Sequence, residues 1–385
     1  MKIRIFSLSL TIVFLIFVGC ASPPRDQAPN VAEPDVKTDF KTHAAMETAS
    51  LKELAEFKGV QVTGVTMTED GRLFANFPRW RDGLPFSVVE IAKDGSYKPY
   101  PNDEWNAWRG TGTPAKNQFN TVQSVVAHNG LLYVVDPSSP MMKGVVGKPK
   151  LYVFDLAANT LKKTYEFTPL VAPKESYLND LRVDDRNNAV YMTDSGLGAI
   201  VVLDLKSGHA RRLLSLDKST KSEDIKLSVE GKTLLIDGKP PKIHSDGIAL
   251  SPDNTYLYYH ALTGRTLYRI STTALNDKKL STRQLAKQVE ALGLTPSPDG
   301  MIFDQAGNLY MADLQSNSVV YRTPQGVVKT LVQDPRIKWA DTFTLAPSGG
   351  GLIFTASRLH ETPAGTPATD YVYKIFKTPL APKAL

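Results

Sequence analysis

Polar and apolar positions along this chain fall into short alternating runs, and one phrase recurs six times. It consists of a polar residue, an alternating apolar run, a turn, and a second apolar run that usually carries Tyr or Phe. The copies start at Thr63, Gln123, Asn179, Asp246, Asp299 and Asp341, and their second runs include Leu73-Phe74, Leu132-Tyr133, Val190-Tyr191, Leu257-Tyr258, Leu309-Tyr310 and Ile353-Phe354. Alternation such as Leu181, Val183, then Val190, Met192 is the period of a half-buried strand. The intervening segments, among them His128-Asn129-Gly130, Pro252-Asp253-Asn254 and Ser348-Gly349-Gly350, carry the Gly and Asn that hairpin reversals need. Most copies are followed by another strand pair, as in 199–205 and 210–214 around Ser207-Gly208. Four antiparallel strands per unit, repeated at roughly 40–60 residues, predict propeller blades. The fold expected is all-β, a six-bladed β-propeller over 46–385. A β-sandwich would share the turn spacing, but it gives no reason for a polar residue to recur before the first strand of each unit.

The segment before the first copy has a different texture. Lys2 and Arg4 precede an apolar run from Ile5 to Val18, about 14 residues and short of the ~20 that span a bilayer, and Gly19-Cys20 follows. This reads as an export signal over 1–20. Cys20 is the single cysteine of the 385 residues. Its place resembles the lipobox of bacterial lipoproteins, with Phe17 standing where leucine is usual; the alternative is an ordinary cleaved signal with a chance cysteine. The expectation is an exported protein, held at the cell-envelope membrane through lipidated Cys20, or else secreted. The stretch 21–45, rich in Pro, Ala, Asp and Lys, reads as a flexible tether. Between the third and fourth copies, 218–243 alternates around Glu230-Gly231-Lys232 and predicts an extra hairpin.

Formal charge is +6, with basic residues scattered rather than clustered, so no nucleic-acid partner is expected. The chemistry lies in the recurring polar position. First strands of propeller blades line the central channel, so Thr63, Gln123, Asn179, Asp246, Asp299 and Asp341 are expected to converge there. Three carboxylates, two carboxamides and a hydroxyl are hard oxygen donors suited to Ca²⁺, Mg²⁺ or Mn²⁺. Without a cation, crowded carboxylates raise one another's pKa. The same Asp-Gly and Asn-Asp pairs are also ordinary turn formers. Trp339, two residues before Asp341, is the tryptophan expected nearest a ligand. His244, His260 and His360 read as surface or packing residues, and the sequence holds no nucleophile elbow, phosphate-binding glycine loop or CxxC pair.

Several phrases resemble the major royal jelly and yellow protein family: Pro78-Arg79-Trp80-Arg81-Asp82-Gly83-Leu84-Pro85, Pro99-Tyr100-Pro101, 149–156, 179–184, and 246–252 followed by 257–262. That resemblance implies six blades, secretion, binding of small molecules in or beside the channel and, for certain yellow members, dopachrome tautomerase activity. Asn179-Asp180, Ser245-Asp246-Gly247 and Pro298-Asp299-Gly300-Met301 are more weakly similar to the metal-site motifs of gluconolactonase-type propellers, where a first-blade carboxylate completes a cation site. Here Thr63-Gly64 stands at that place. Three functions follow as expectations. The first is a small-molecule binder, with Thr63, Gln123, Asn179, Asp246 and Trp339 as ligand contacts. The second is a lactonase or tautomerase using a cation on Asn179, Asp246 and Asp299, with Asp299 or Asp341 as general base. The third is a protein-interaction platform, in which the ring is incidental.

Overall fold

The alternating runs fold into six four-stranded antiparallel sheets in a computed structural model that describes residues 50–382 except 111 and 113. Blade 1 comprises Gly64–Met67, Leu73–Asn76, Val88–Ile91 and Tyr97–Pro99. Blade 2 follows with Ser124–His128, Leu131–Asp136, Lys150–Asp155 and Thr160–Glu166, and blade 3 with Leu178–Asp184, Ala189–Asp194, Ala199–Asp204 and Ala210–Leu213. Blade 4 uses Ser245–Leu250, Tyr256–Ala261, Thr266–Ser271 and Glu290–Leu294; blade 5 uses Met301–Phe303, Leu309–Asp313, Ser318–Arg322 and Val328–Gln333. The sixth blade is composite. Ala340–Leu345, Leu352–Ala356 and Val372–Thr378 take their outermost strand from Lys52–Lys58, which pairs antiparallel with the last strand from Lys52↔Lys377 to Lys58↔Val372. Joining the two ends of the chain in one sheet closes the ring and leaves no blade incomplete. The leader, Cys20 and the tether lie outside the described residues.

Apolar side chains of neighbouring blades meet face to face. Between blades 1 and 2, Phe74, Tyr100, Trp105, Phe119, Tyr152 and Phe154 form one buried cluster, with Trp105 edge-on to Tyr152 at 5.1 Å and to Phe154 at 5.0 Å. Such edge-to-face aromatic pairs each add about 0.5–1.5 kcal/mol beyond the area they bury.

The two faces of the ring differ. First and second strands are joined on the lower face by tight turns, such as 128–131 and 184–189, whereas the upper face, where the first strands begin, carries the long connections. The hairpin expected in 218–243 is there, as Ser228–Val229 paired with Lys232–Thr233. Its Leu227, Val229 and Leu234 pack on Leu262, Leu314, Ile337 and Trp339, so this insertion roofs blades 4 to 6. The Pro78-Arg79-Trp80-Arg81 phrase fastens the upper connections on the other side. Arg79 donates to Asn120 O and Trp108 O, and Arg81 donates to Gln61 Oε1, Thr362 O and Thr366 O.

Candidate functional site

At the upper end of the channel the recurring polar positions sit in irregular backbone. The ladder register shifts between Leu178 and Leu181, between Ser245 and Ile248, and between Ala340 and Phe343, so Asn179, Asp246 and Asp341 each occupy a β-bulge. A bulge adds one residue to a strand and re-aims its side chain, here toward the axis. The glycines after two of the acids answer a second demand. A Cβ on Gly247 would lie 2.5 Å from Asp299 O, and one on Gly300 would lie 2.0 Å from Asp341 O. These Asp-Gly pairs are therefore not hairpin turns; glycine stands there because the next blade's backbone passes against it.

Second-strand side chains lock three of the ring residues to the blade before them. Thr193 Oγ1 donates to Asp246 O at 2.7 Å, Thr355 Oγ1 to Thr63 O at 2.6 Å, and Asn76 Nδ2 to Gln123 O at 2.9 Å. The ring side chains themselves form a directed chain of hydrogen bonds. Trp80 Nε1 donates to Tyr177 OH at 2.7 Å, which donates to Gln123 Oε1 at 2.8 Å; Gln123 Nε2 donates to Asn179 Oδ1 at 2.7 Å. Asn179 Nδ2 donates to Asp246 Oδ1, and Asp246 hydrogen-bonds Asp299. From the other side Trp339 Nε1 donates to Asp299 Oδ2 at 2.6 Å. Both arms end on Asp299.

Burial raises all three ring carboxyls. Asp246 is held well above the usual carboxylate range, first by burial and then by the charges of Asp299 and Asp341; Asp341 is raised by burial and by Asp299. Asp299 is pushed up only to about 6, because the Trp339 indole N–H and Asp246 donate to it. Asp246 and Asp299 therefore titrate as a pair, both raised by burial and by the carboxylate charges around them. Beneath them Arg182 spans the channel, with Nη1 2.9 Å from Asp180 Oδ2 and Nη2 donating to Met301 O at 2.6 Å.

Of the residues expected here, Gln123, Asn179, Asp246, Asp299 and Asp341 line one cavity, joined by Ser124, Asp180 and Thr342. Thr63 is not among its walls: its hydroxyl accepts from Asn76 Nδ2 at 3.2 Å and the residue is 1 % exposed. Trp339 is likewise 1 % exposed, so it touches the site through its N–H to Asp299 and presents no open ring face to a ligand. Its backbone is left-handed, φ +62°, a conformation that costs a bulky residue about 1–3 kcal/mol and that aims the indole at Asp299. Residue-type reasoning passed over Tyr177, Asp180 and Arg182. Asp180 directly follows a ring residue, which was a signal; a cross-channel Arg182 leaves none in the local pattern. The cavity measures about 10 Å³, room for a single water or ion and no organic molecule.

Residues 122–342 match the profile of the family described as Major royal jelly protein. The chain belongs to that family. Its relatives include Protein yellow of Drosophila pseudoobscura pseudoobscura, 30% identical over 142 residues that cover 34% of this chain and 25% of that protein. Protein yellow of Drosophila guanche is 29% identical over the same length and covers the same shares. The match therefore spans about a quarter of those relatives. Among solved structures, a gluconolactonase from Xanthomonas campestris aligns at TM-score 0.53 with 15% identity, over 86% of this chain and 90% of that one. The calcium-binding protein regucalcin from Agrobacterium tumefaciens aligns at TM-score 0.50 with 14% identity, over 88% and 98%. At such identities the shared property is the six-bladed fold.

Proposed function

We propose that the royal jelly family propeller described above is a divalent-cation-dependent catalyst acting on a small oxygen-bearing molecule such as a lactone or a quinone-type carbonyl. Three buried carboxyls around a cavity the size of one water carry the reading. That space admits an ion, with the body of an organic substrate outside it and only one substrate oxygen reaching the ion. The donors are carboxylate and carboxamide oxygens with no thiolate or imidazole among them, which suits Ca²⁺, Mg²⁺ or Mn²⁺. Asn179, Asp246 and Asp299 would hold the ion, and the absence of a fourth carboxylate at Thr63 leaves positions for water or substrate. When bound, the cation would supply Lewis-acid polarisation of a substrate oxygen. Asp341, whose carboxyl accepts from Thr342 Oγ1 at 3.4 Å, would take the proton as general base once the cation's charge holds it ionised against its burial. Arg182 neutralises Asp180, which stays outside the ligand set. The calcium binding named for regucalcin and the lactonase named for the Xanthomonas protein agree with this reading.

Thermal melting with Ca²⁺, Mg²⁺ and Mn²⁺ tests it. A ligand at a hundred times its Kd stabilises by about 2.7 kcal/mol, so a rise of a few degrees is expected, absent in Asp246→Asn and Asp299→Asn. No shift with any of the three ions would refute the cation site.

A second reading, passive binding of a small molecule, rests on a different hollow. A depression of about 1080 Å³ opens on the lower face, lined by Met67, Leu345, Leu380, Lys52 and Lys377 among others. It is large enough for an organic ligand, and it lies at the opposite end of the first strands from the ring. Export and anchoring through Cys20 belong to the proposal as well; Cys20→Ala is expected to shift the protein from the membrane fraction to the soluble one.

A further inference from the structure

A second set of ligand-type side chains converges on the upper face, away from the ring. Glu230 stands at the tip of the hairpin formed by Ser228–Val229 and Lys232–Thr233, while His360 and Glu361 belong to the connection between the second and third strands of blade 6. One ligand atom from each lies within 4.8 Å of the others. His360 Nε2 is 3.5 Å from Glu230 Oε2 and 4.0 Å from Glu361 Oε1. The imidazole is 9 % exposed and stacks on Trp339 at 5.8 Å with 13° between the planes, yet neither ring nitrogen has a hydrogen-bond partner. The packing histidine expected from sequence is thus largely enclosed, with Nδ1 unsatisfied and Nε2 facing only the Glu230 carboxylate from beyond good hydrogen-bond geometry, an arrangement native structures rarely leave without a partner.

The two carboxylates are already drawn up around a positive charge. Lys338 Nζ is 2.7 Å from Glu361 Oε1 and 3.3 Å from Glu230 Oε1, and Arg358 Nε is 2.6 Å from Glu361 Oε2. Asn317 Nδ2 orients Glu230 by donating to Oε1 at 2.9 Å. Lys338, on a flexible stem and one-quarter exposed, is free to withdraw into solvent.

We propose that Glu230, His360 and Glu361 form a site for a first-row transition-metal dication, Zn²⁺ being the probe, with the Lys338 ammonium holding its place. One imidazole nitrogen and two carboxylate oxygens are a zinc-type donor set, unlike the all-oxygen ring. Zinc bonds of about 2.0–2.2 Å place ligand atoms roughly 3.3 Å apart, so the group needs only a small contraction. The bound metal clips the hairpin to the blade 6 connection, directly behind the tryptophan that donates to Asp299.

The test is Zn²⁺ calorimetry on the untagged, metal-stripped chain, repeated with Co²⁺ and its visible absorption. One equivalent is expected at this site, weakened at least tenfold by His360→Gln and by Glu230→Gln. Lys338→Met is expected to tighten binding, because it removes the competing ammonium. Circular dichroism establishes that each variant is folded, and Glu230 on its exposed hairpin tip supplies a variant that does not disturb the core. Asp246→Asn leaves this equivalent untouched, which separates the site from the ring. Uptake indifferent to both His360→Gln and Glu230→Gln, uptake lost only in Asp246→Asn, or no uptake even in Lys338→Met overturns the proposal.

Discussion

Blades 1 and 2 bring the same repeat position to the channel as blades 3 to 6, and they use it differently. On the neutral side, Thr63 is absorbed by Asn76, and Gln123 is tied to Tyr177 and, through it, to Trp80 of the arginine-tryptophan-arginine loop. On the acidic side, bulges in blades 3, 4 and 6 push Asn179, Asp246 and Asp341 toward the axis, and the acids share protons and charge. One side works as a wall of neutral side chains tied to one another by hydrogen bonds. The other concentrates carboxyls whose solvation has been removed, and that is where an ion or a proton has most to gain.

Four perturbations sharpen the contrast. The largest effect is expected from Arg182→Met, which leaves Asp180 buried without its guanidinium and Met301 O without a donor. Breaking such a pair costs about 3–5 kcal/mol, measured by urea unfolding; a loss below about 1 kcal/mol would show that Ser124 and the Leu181 N–H alone hold Asp180. Next comes Gly300→Ala, expected to cost about 3 kcal/mol because its Cβ meets the Asp341 carbonyl, a backbone atom that cannot turn aside. Gly64→Ala on the neutral side meets the Asn76 amide, a side chain that can turn aside only by giving up its hydrogen bonds to Thr63 and Gln123, and should cost about 2 kcal/mol. Equal penalties would erase the distinction between the two sides.

Trp339→Phe removes a donor from a charged acceptor and is expected to cost about 2 kcal/mol, against about 1 kcal/mol for Trp80→Phe, whose acceptor is a neutral phenol. The smallest effect is the pH dependence. The folded-state pKa values of Asp246, Asp299 and Asp341 are raised above their unfolded ones, so their contribution is fully present at acid pH and is lost as pH rises through the folded values, about 6 for Asp299. The cation-free protein should therefore melt lower at pH 8 than at pH 5, by a few degrees, with Asp246→Asn flattening the trend. Metal binding needs deprotonated ligands, so the stabilisation by Ca²⁺ or Mn²⁺ grows over the same window. A cation-free melting temperature that climbs from pH 5 to pH 8 would contradict the protonated acid pair.

Much of the fold was legible because each blade's inner two strands are local. Leu181↔Met192 and Val183↔Val190 pair across a short turn, and their alternation is written in consecutive residues. The closing strand was not, since Lys52–Lys58 meets a partner more than 300 residues away and its own alternation names no neighbour. The ring shows the same division. Asn179, Asp246, Asp299 and Asp341 were marked by recurring in phase, but phase says nothing about which side chain is consumed by a neighbour, as Thr63 is by Asn76.

The sequence by itself determined the strand period, the blade count and, Thr63 apart, the recurring polar residues that line one end of the channel, because these follow from local alternation repeated along the chain. Only the tertiary structure decided that Gly247 and Gly300 make room for the next blade, that Arg182 crosses the channel beneath the acids, and that two arms of hydrogen bonds end on Asp299. Those are contacts between blades. Their energies depend on distances of a few ångströms between segments remote in the chain, which no local pattern encodes.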